Sequence, residues 1–212
     1  MKKTIFVILQ LFACVAIVAS QTTDAKAKAL VDKTVATLKK SAYTSSFRID
    51  ITNSNEELQN HEEGTLRFWG NKLYMNIGGV ETYFDGRTQW VYMEDLNEVS
   101  ISEPTTDELR ELSPMLIMQD YEKTHRVMFD AEESTTHWFI SLYPLDHSKE
   151  YFRLQLYINK KTMLPEMMKL SQRNGTRYIL ILKDLKTITQ PAESMFKFDI
   201  KKHAGVVRNE LR

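Results

Sequence analysis

After residue 20, the first patterned segment of the chain has apolar residues at helical spacing. They share one face of a helix that runs from about Asp24 to Lys40, namely Ala27, Leu30, Val31, Val35 and Leu38. Thr23 or Asp24 can cap its first turn. Polar residues such as Asp32 fall elsewhere on the helix and are interpreted as solvated surface. The pattern therefore predicts a leading amphipathic helix with one buried face.

Beyond Tyr43 the apolar residues alternate with polar ones, which is typical of strands with one buried face. The predicted strands are Tyr43–Ile51, Gly64–Trp69, Lys72–Ile77, Val80–Asp85, Thr88–Met93, Glu98–Ser102, Tyr121–Phe129, Thr136–Tyr143, Tyr151–Asn159, Glu166–Gln172 and Arg177–Thr187, with Met195–Phe198 as a short closing strand. Most connections are too short for the crossover helices that parallel strands need. An antiparallel meander of about ten or eleven strands is predicted.

A helical segment, Pro104–Asp120, interrupts the strands. Thr105 and Glu108 form a possible capping box, and Pro114 should divide the segment into two short helices. Several strands, such as Trp90–Met93, carry bulky apolar residues on both faces. A sheet that curls around its own apolar interior explains this better than a flat one. The predicted fold is mainly β with α: an incomplete antiparallel β-barrel covered by a helical lid.

The first 20 residues have the pattern of a secretory signal peptide. Lys2 and Lys3 precede an apolar segment, Ile5–Ala19, and small residues then lead into a polar sequence. Its 15 residues would span only about 22 Å as a helix, which is short for a membrane anchor. Cys14, the single cysteine, leaves lipidation open as an alternative. We expect residues 1–20 to be cleaved and residues 21–212 to form a single domain.

Charge and motifs narrow the function further. Lys plus Arg and Asp plus Glu number 28 each, so the chain lacks the basic excess of nucleic-acid-binding proteins. The five histidines lack the spacing of a metal site, and no nucleophile elbow, phosphate-binding loop or dinucleotide-binding glycine pattern is present. We therefore expect neither an enzyme nor a bound metal or cofactor. A carboxylate pair remains a minor hydrolase alternative.

One stretch resembles a known family. The segments Gly64–Trp69, Lys72–Met75, Phe84–Tyr92 and Asn97–Ile101 are similar to the periplasmic outer-membrane lipoprotein carriers, the LolA-like family, most specifically in the turn and strand Asp85–Tyr92. The order of helix, strands, mid-chain helical lid and further strands also matches across nearly all of the expected mature chain. The resemblance implies an unclosed barrel whose hydrophobic cavity holds the acyl chains of lipoproteins.

The resemblance also implies a lipid-binding surface on the barrel and the lid. Its expected residues are Phe47, Ile49, Ile51, Leu66, Phe68, Leu73, Met75, Ile77, Trp90, Tyr92, Leu109, Leu112, Met115 and Leu116. The expected partners are acylated lipoproteins or other lipids, an inner-membrane ABC release complex and an outer-membrane acceptor. The protein is expected to act as a monomer in the periplasm of a Gram-negative bacterium.

One departure from the family pattern concerns the lid. Carriers of the best-known type have an arginine just after the strand that contains Leu66 and Phe68, where it tethers the lid, whereas this chain reads Trp69-Gly70-Asn71. Three hypotheses follow. They are a lipoprotein carrier, a related barrel that binds another lipid or senses envelope stress, and a periplasmic hydrolase.

Overall fold

The computed structural model describes residues 23–105, 108, 114–130 and 134–211, except for the side chains of residues 114, 115 and 119. Its helices are α1 (Ala25–Lys39) and α2 (Pro114–Gln119). Its strands are β1 (Ala42–Thr52), β2 (Leu58–Trp69), β3 (Lys72–Ile77), β4 (Val80–Phe84), β5 (Gln89–Met93), β6 (Glu98–Ser102), β7 (His125–Phe129), β8 (His137–Pro144), β9 (Tyr151–Asn159), β10 (Pro165–Gln172), β11 (Arg177–Ile188) and β12 (Val207–Glu210).

All twelve described strands form one sheet in the order β12-β6-β5-β4-β3-β2-β1-β11-β10-β9-β8-β7. Neighbouring strands are antiparallel, except that β12 is parallel to β6. The sheet is open and curved, with β12 and β7 at its two ends. The predicted mainly-β fold, an incomplete barrel with helices over it, is confirmed.

Helix α1 begins where the sequence predicts. The Asp24 carboxylate accepts hydrogen bonds from the backbone N–H groups of Lys26 (2.8 Å) and Ala27 (3.1 Å), so Asp24 is the N-cap. The Thr23 hydroxyl instead accepts a hydrogen bond from the N–H of Val127 on the edge strand β7. The start of the helix is therefore held against one end of the sheet.

The helix and one face of the sheet share a continuous buried core. It includes Val31 and Leu38 of α1, Ile117 and Met118 of α2, and the strand residues Phe47, Leu66, Leu73, Ile140, Leu154, Leu156 and Met168. We call this side of the sheet the inner face and the opposite side the outer face. No helix in the described ranges has the length and apolar character of a membrane-spanning helix.

Three predicted strands differ from the structure by more than one residue. The strand predicted at Tyr121–Phe129 begins only at His125, since Tyr121–Lys123 forms a short 3₁₀ helix. The predicted closing strand Met195–Phe198 is not a strand, because Glu193–Phe196 forms a short 3₁₀ helix whose Phe196 is fully buried. The last strand is instead β12, which pairs with β6. Strand β2 also begins at Leu58, six residues before the predicted start at Gly64, since its first half pairs with β1.

The predicted capping box at the start of the helical segment is present. The Glu108 carboxylate accepts a hydrogen bond from the backbone N–H of Thr105 (2.6 Å), and the Thr105 hydroxyl accepts one from the N–H of Glu108 (3.3 Å). The pKa of the Glu108 carboxyl is lowered, first by the hydrogen bond that the backbone N–H of Thr105 donates to it and then by one from the Thr105 hydroxyl. Pro114 is the first residue of α2, a position where the missing N–H of proline costs little.

Candidate functional site

Strand pairing puts eight of the ten predicted strand residues on the inner face. Leu66 lies opposite Met75, and Phe68 lies opposite Leu73, so these four share a face. Gly64 lies between Phe47 of β1 and Ile77 of β3 in the same row. Ile49 and Ile51 share this face with Phe47, because side chains two residues apart on a strand point to the same side. The eight are Phe47, Ile49, Ile51, Leu66, Phe68, Leu73, Met75 and Ile77.

Half of these residues belong to a closed part of the inner face. Phe47, Leu66, Phe68 and Leu73 are between 1% and 4% exposed and lie in the same buried cluster as the side chains of α1. Each of them is thus surrounded by protein in this structure. We assign these four residues to the core beneath the helix rather than to a surface that awaits a ligand.

The other half lies in an open part of the same face. Ile49, Ile51, Met75 and Ile77 are only half-buried, although three of them pack against the core. The register continues this surface sideways to Val80, which lies opposite Ile77 and is 40% exposed. We call the whole patch the open inner surface, and its residues are Ile49, Ile51, Met75, Ile77, Val80, Met93, Leu170 and Tyr178.

Trp90 and Tyr92 do not lie on this surface, and their prediction as inward-facing residues is wrong. Tyr83 of β4 lies opposite Trp90, while its neighbour Thr82 shares the inner face with Met75. The residues of β5 that face inward are therefore Gln89, Val91 and Met93. Tyr92 contacts the C-terminal segment on the outer face, where its ring centroid is 5.1 Å from that of Phe198 and 4.4 Å from that of His203.

The predicted lid residues are only partly placed. Leu109 and Leu112 lie outside the described residues, and Met115 is described only as part of the backbone of α2. Leu116 is half-buried, whereas Ile117 and Met118 are buried in the shared core. The described part of the lid thus belongs to the same buried core as α1.

A family model for the outer membrane lipoprotein carrier protein LolA matches residues 15–174, about three-quarters of the chain. The chain belongs to the LolA family. This confirms the resemblance that the sequence showed around Asp85–Tyr92. No curated protein is similar enough in sequence to be matched to the chain.

Comparison with solved structures finds similar proteins at low sequence identity. An uncharacterized conserved protein from Thermus thermophilus is 12% identical, with a TM-score of 0.58 over 88% of this chain and 99% of that one. A LolA superfamily protein from Nitrosomonas europaea is 13% identical, with a TM-score of 0.48 over 82% and 98%. MucB in the MucA/MucB complex of Pseudomonas aeruginosa is 14% identical, with a TM-score of 0.41 over 84% and 62%.

In this LolA family member, the end of the described lid is fastened to α1. The Tyr121 hydroxyl, just after α2, donates a hydrogen bond to the Asp32 carboxylate. Lys28 Nζ lies 2.9 Å from the Asp32 carboxylate and 2.5 Å from that of Glu122. Sequence reasoning missed this cluster because Asp32 was interpreted as solvated surface. Its one local signal was the Lys28–Asp32 spacing of four residues.

The same contacts shift three pKa values. Hydrogen bonds to Glu122 and then to Asp32 raise the pKa of the Lys28 ammonium group. Burial raises the pKa of the Tyr121 hydroxyl, and its hydrogen bond to Asp32 raises it further. Partial burial alone would raise the pKa of Asp32, but hydrogen bonds from Tyr121 and Lys28 outweigh it and lower that pKa. At neutral pH, Asp32 is therefore ionised and Tyr121 is protonated, which is the state that favours this bond.

Two further depressions lie away from the open inner surface. One of about 750 Å³ lies at the end of β6 and is bounded by Glu103, Pro104 and Glu108 among others. The other, of about 580 Å³, is bounded by outer-face residues of β8–β11, including Phe139, Tyr157, Met167 and Ile181. Within the described ranges, no group of three or more His, Cys, Asp or Glu side chains could hold a metal ion.

Proposed function

We propose that this protein is a periplasmic carrier that holds the acyl chains of a lipoprotein, or of another lipid, against its open inner surface. The observation that carries the proposal is the half-buried apolar row that continues the core outward on β1 and β3. Three of its members, Ile49, Met75 and Ile77, already pack against the core on one side and leave their other side uncovered within the described chain. Such contiguous apolar surfaces mark binding sites in proteins of this size.

The chemistry of the surface suits an acyl chain. Each buried methylene group stabilises a complex by about 0.8 kcal/mol, so a lipid tail gains affinity from a broad apolar surface without specific polar contacts. Flexible methionine side chains such as Met75 and Met93 adapt to chains of different shape. Binding of this type requires no catalytic group, and we propose a binding role rather than an enzymatic one.

The proposed route follows from the family and the N-terminal sequence. A cleaved signal peptide over residues 1–20 would release the carrier into the periplasm of a Gram-negative bacterium. An inner-membrane ABC release complex would supply the acylated cargo, and an outer-membrane acceptor would receive it. The family description, an outer membrane lipoprotein carrier, supports this route.

Native mass spectrometry of the protein purified from the bacterial envelope tests the proposal. We expect an intact mass that begins near Gln21 and a second population with a non-covalently bound acylated protein. A bound free lipid would favour the related lipid-binding barrel instead. If the envelope protein carries no lipid and does not bind a fluorescent fatty acid in titration, the carrier proposal is wrong.

A further inference from the structure

Strand β2 extends beyond β3, its neighbour on the side away from β1. Strand β2 pairs with β1 along its length from Leu58 to Trp69. Strand β3, on the other side of β2, pairs with it only from Gly64 to Trp69. Six residues, Leu58–Glu63, therefore form a strand with one unpaired side within the described chain. We call this segment the free edge of β2.

Among the described residues, none covers the free edge on either face or along its side. All six residues are exposed, including Leu58 at 52%. No described residue outside β1 makes a backbone hydrogen bond to this segment. Sheet edges of this kind are commonly protected by Lys, Pro or a bulge. The sequence Leu-Gln-Asn-His-Glu-Glu contains neither Lys nor Pro, and its one register shift lies at its start, between Leu58 and Asn60, so Asn60–Glu63 is a regular strand. Its unpaired N–H and C=O groups can accept another strand.

The position of the free edge links it to the open inner surface. Glu62 lies opposite Ile49, and Asn60 lies opposite Ile51, so the edge borders the apolar surface directly. A ligand with an acyl chain on Ile49 and Ile51 would have its polar remainder beside β2. Six residues of strand are about 20 Å long, enough to pair with an extended peptide of similar length.

We propose that the free edge of β2 binds the polypeptide segment next to the acylated residue of a lipoprotein cargo, as an added strand. This inference rests on the proposed carrier function and names the part of the cargo that a second surface recognises. Backbone hydrogen bonds of an added strand do not depend on the side chains of the partner. The free edge would therefore accept different lipoproteins and would distinguish them from free lipids.

Four glutamates lie on the free edge or just before it, and their charge indicates which cargo peptides the edge favours. Glu56 and Glu63 form ion pairs with Lys169 and Lys183. Glu57 and Glu62 accept hydrogen bonds from the neutral amides of Asn53 and Asn60, at 2.7 and 3.3 Å. The edge thus keeps an acidic character that favours a peptide with Lys over one with Glu.

Three synthetic probes test the proposal on the intact mature protein. They are palmitate, an eight-residue peptide with an N-terminal palmitoyl group, and the same lipopeptide with N-methyl groups on alternate backbone nitrogens. The N-methylated lipopeptide is made in two phases, one methylated at the odd-numbered and the other at the even-numbered nitrogens. We expect one N-methylated phase to bind about tenfold more weakly than its parent, the factor for losing two net hydrogen bonds. Palmitate affinity reports the acyl site alone.

The outcomes separate the two proposals. If both N-methylated phases bind as tightly as the parent lipopeptide, strand addition is wrong while lipid binding stands. If neither palmitate nor the lipopeptide binds, both proposals are wrong. A Lys-bearing lipopeptide should also bind more tightly than a Glu-bearing one, and equal affinities would contradict the role of the acidic edge.

A pair of variants tests the edge from the side of the protein. Strand β2 pairs with β1 in regular register from Asn60 to Glu63, where neighbouring residues direct their N–H groups to opposite sides. One of the His61 and Glu62 N–H groups therefore points to β1 and the other to the free edge. We expect His61→Pro or Glu62→Pro, whichever keeps the denaturant midpoint of the parent, to bind palmitate normally and the lipopeptide about tenfold more weakly. Unchanged lipopeptide affinity in that variant would overturn the proposal.

Discussion

A charge placed at two positions of β3 should separate the core from the binding surface. Leu73 and Ile77 lie four residues apart on the same inner face. Leu73 is 4% exposed in the shared core, whereas Ile77 is half-buried at the last residue of the strand. We compare Leu73→Glu with Ile77→Glu, because the introduced carboxylate is the same and only its surroundings differ.

The expected magnitudes follow from burial. Leu73→Glu removes a packed side chain, which costs about 2–5 kcal/mol, and adds the cost of burying a charge. Since whole domains are stable by about 5–15 kcal/mol, this variant should be largely unfolded. At Ile77 the carboxylate can reach water, so the loss of stability should be about 1 kcal/mol. Excluding two to three acyl methylenes from that site would cost about 2 kcal/mol, or about thirtyfold in lipid affinity.

A denaturant midpoint and a fluorescent fatty-acid titration are measured for each variant. Thr65→Glu, which adds the same charge on the exposed outer face of β2, is the matched control and should change neither quantity. If Ile77→Glu binds lipid like the parent, the open inner surface is not the acyl site. If Ile77→Glu unfolds as Leu73→Glu does, the division of the inner face into core and open surface is wrong.

Four further variants test other parts of the structure. Gly64→Ala should lower stability by more than about 2 kcal/mol in urea unfolding, since its Cβ would lie 2.1 Å from a carbonyl oxygen and 2.8 Å from the Phe47 ring. Tyr121→Phe, which removes the hydroxyl that donates to Asp32, should lower the free energy of unfolding by about 1–2 kcal/mol. Because folding lowers the pKa of Asp32, its ionised carboxylate stabilises the folded protein above about pH 4, and this stabilisation is lost on acidification. The melting temperature of the parent should therefore fall more than that of Asp32→Asn below about pH 4. Tyr92→Ala should lower the free energy of unfolding by about 2 kcal/mol, while its lipid affinity stays within about twofold of the parent. A tenfold loss of lipid affinity would show that Tyr92 belongs to the lipid-binding site.

Much of the fold could be predicted because the first strands have a clear two-residue period. On β1, Phe47, Ile49 and Ile51 alternate with polar residues, so the sequence itself selects the inner face. Strand β5 instead has four apolar residues in succession, Trp90, Val91, Tyr92 and Met93, so the sequence does not indicate which of them face inward. The structure explains the missing signal, since Tyr92 is covered by Phe198 from far along the chain.

The contacts that sequence reasoning missed depend on residues that are distant in the chain. Asp32 and Tyr121 are 89 positions apart, and neither residue alone indicates a partner. Strand β12 has only four residues, all exposed, so it lacks the apolar alternation that identifies a strand. The division of the inner face into core and open surface was also invisible, because Leu73 and Ile77 are both apolar residues of the same parity.

The boundary between those two parts lies at Phe47, and this gives a last prediction. Its ring lies against Gly64, and the next residue of β1 on the same face, Ile49, is already half-buried. Phe47→Leu, a smaller side chain, should let an acyl chain extend further inward at a moderate cost in stability. In a titration with saturated fatty acids of increasing length, affinity should stop rising about one methylene later in the variant, with about fourfold gained per methylene. If the affinity of parent and variant stops rising at the same length, Phe47 does not limit the site and the acyl chain binds elsewhere.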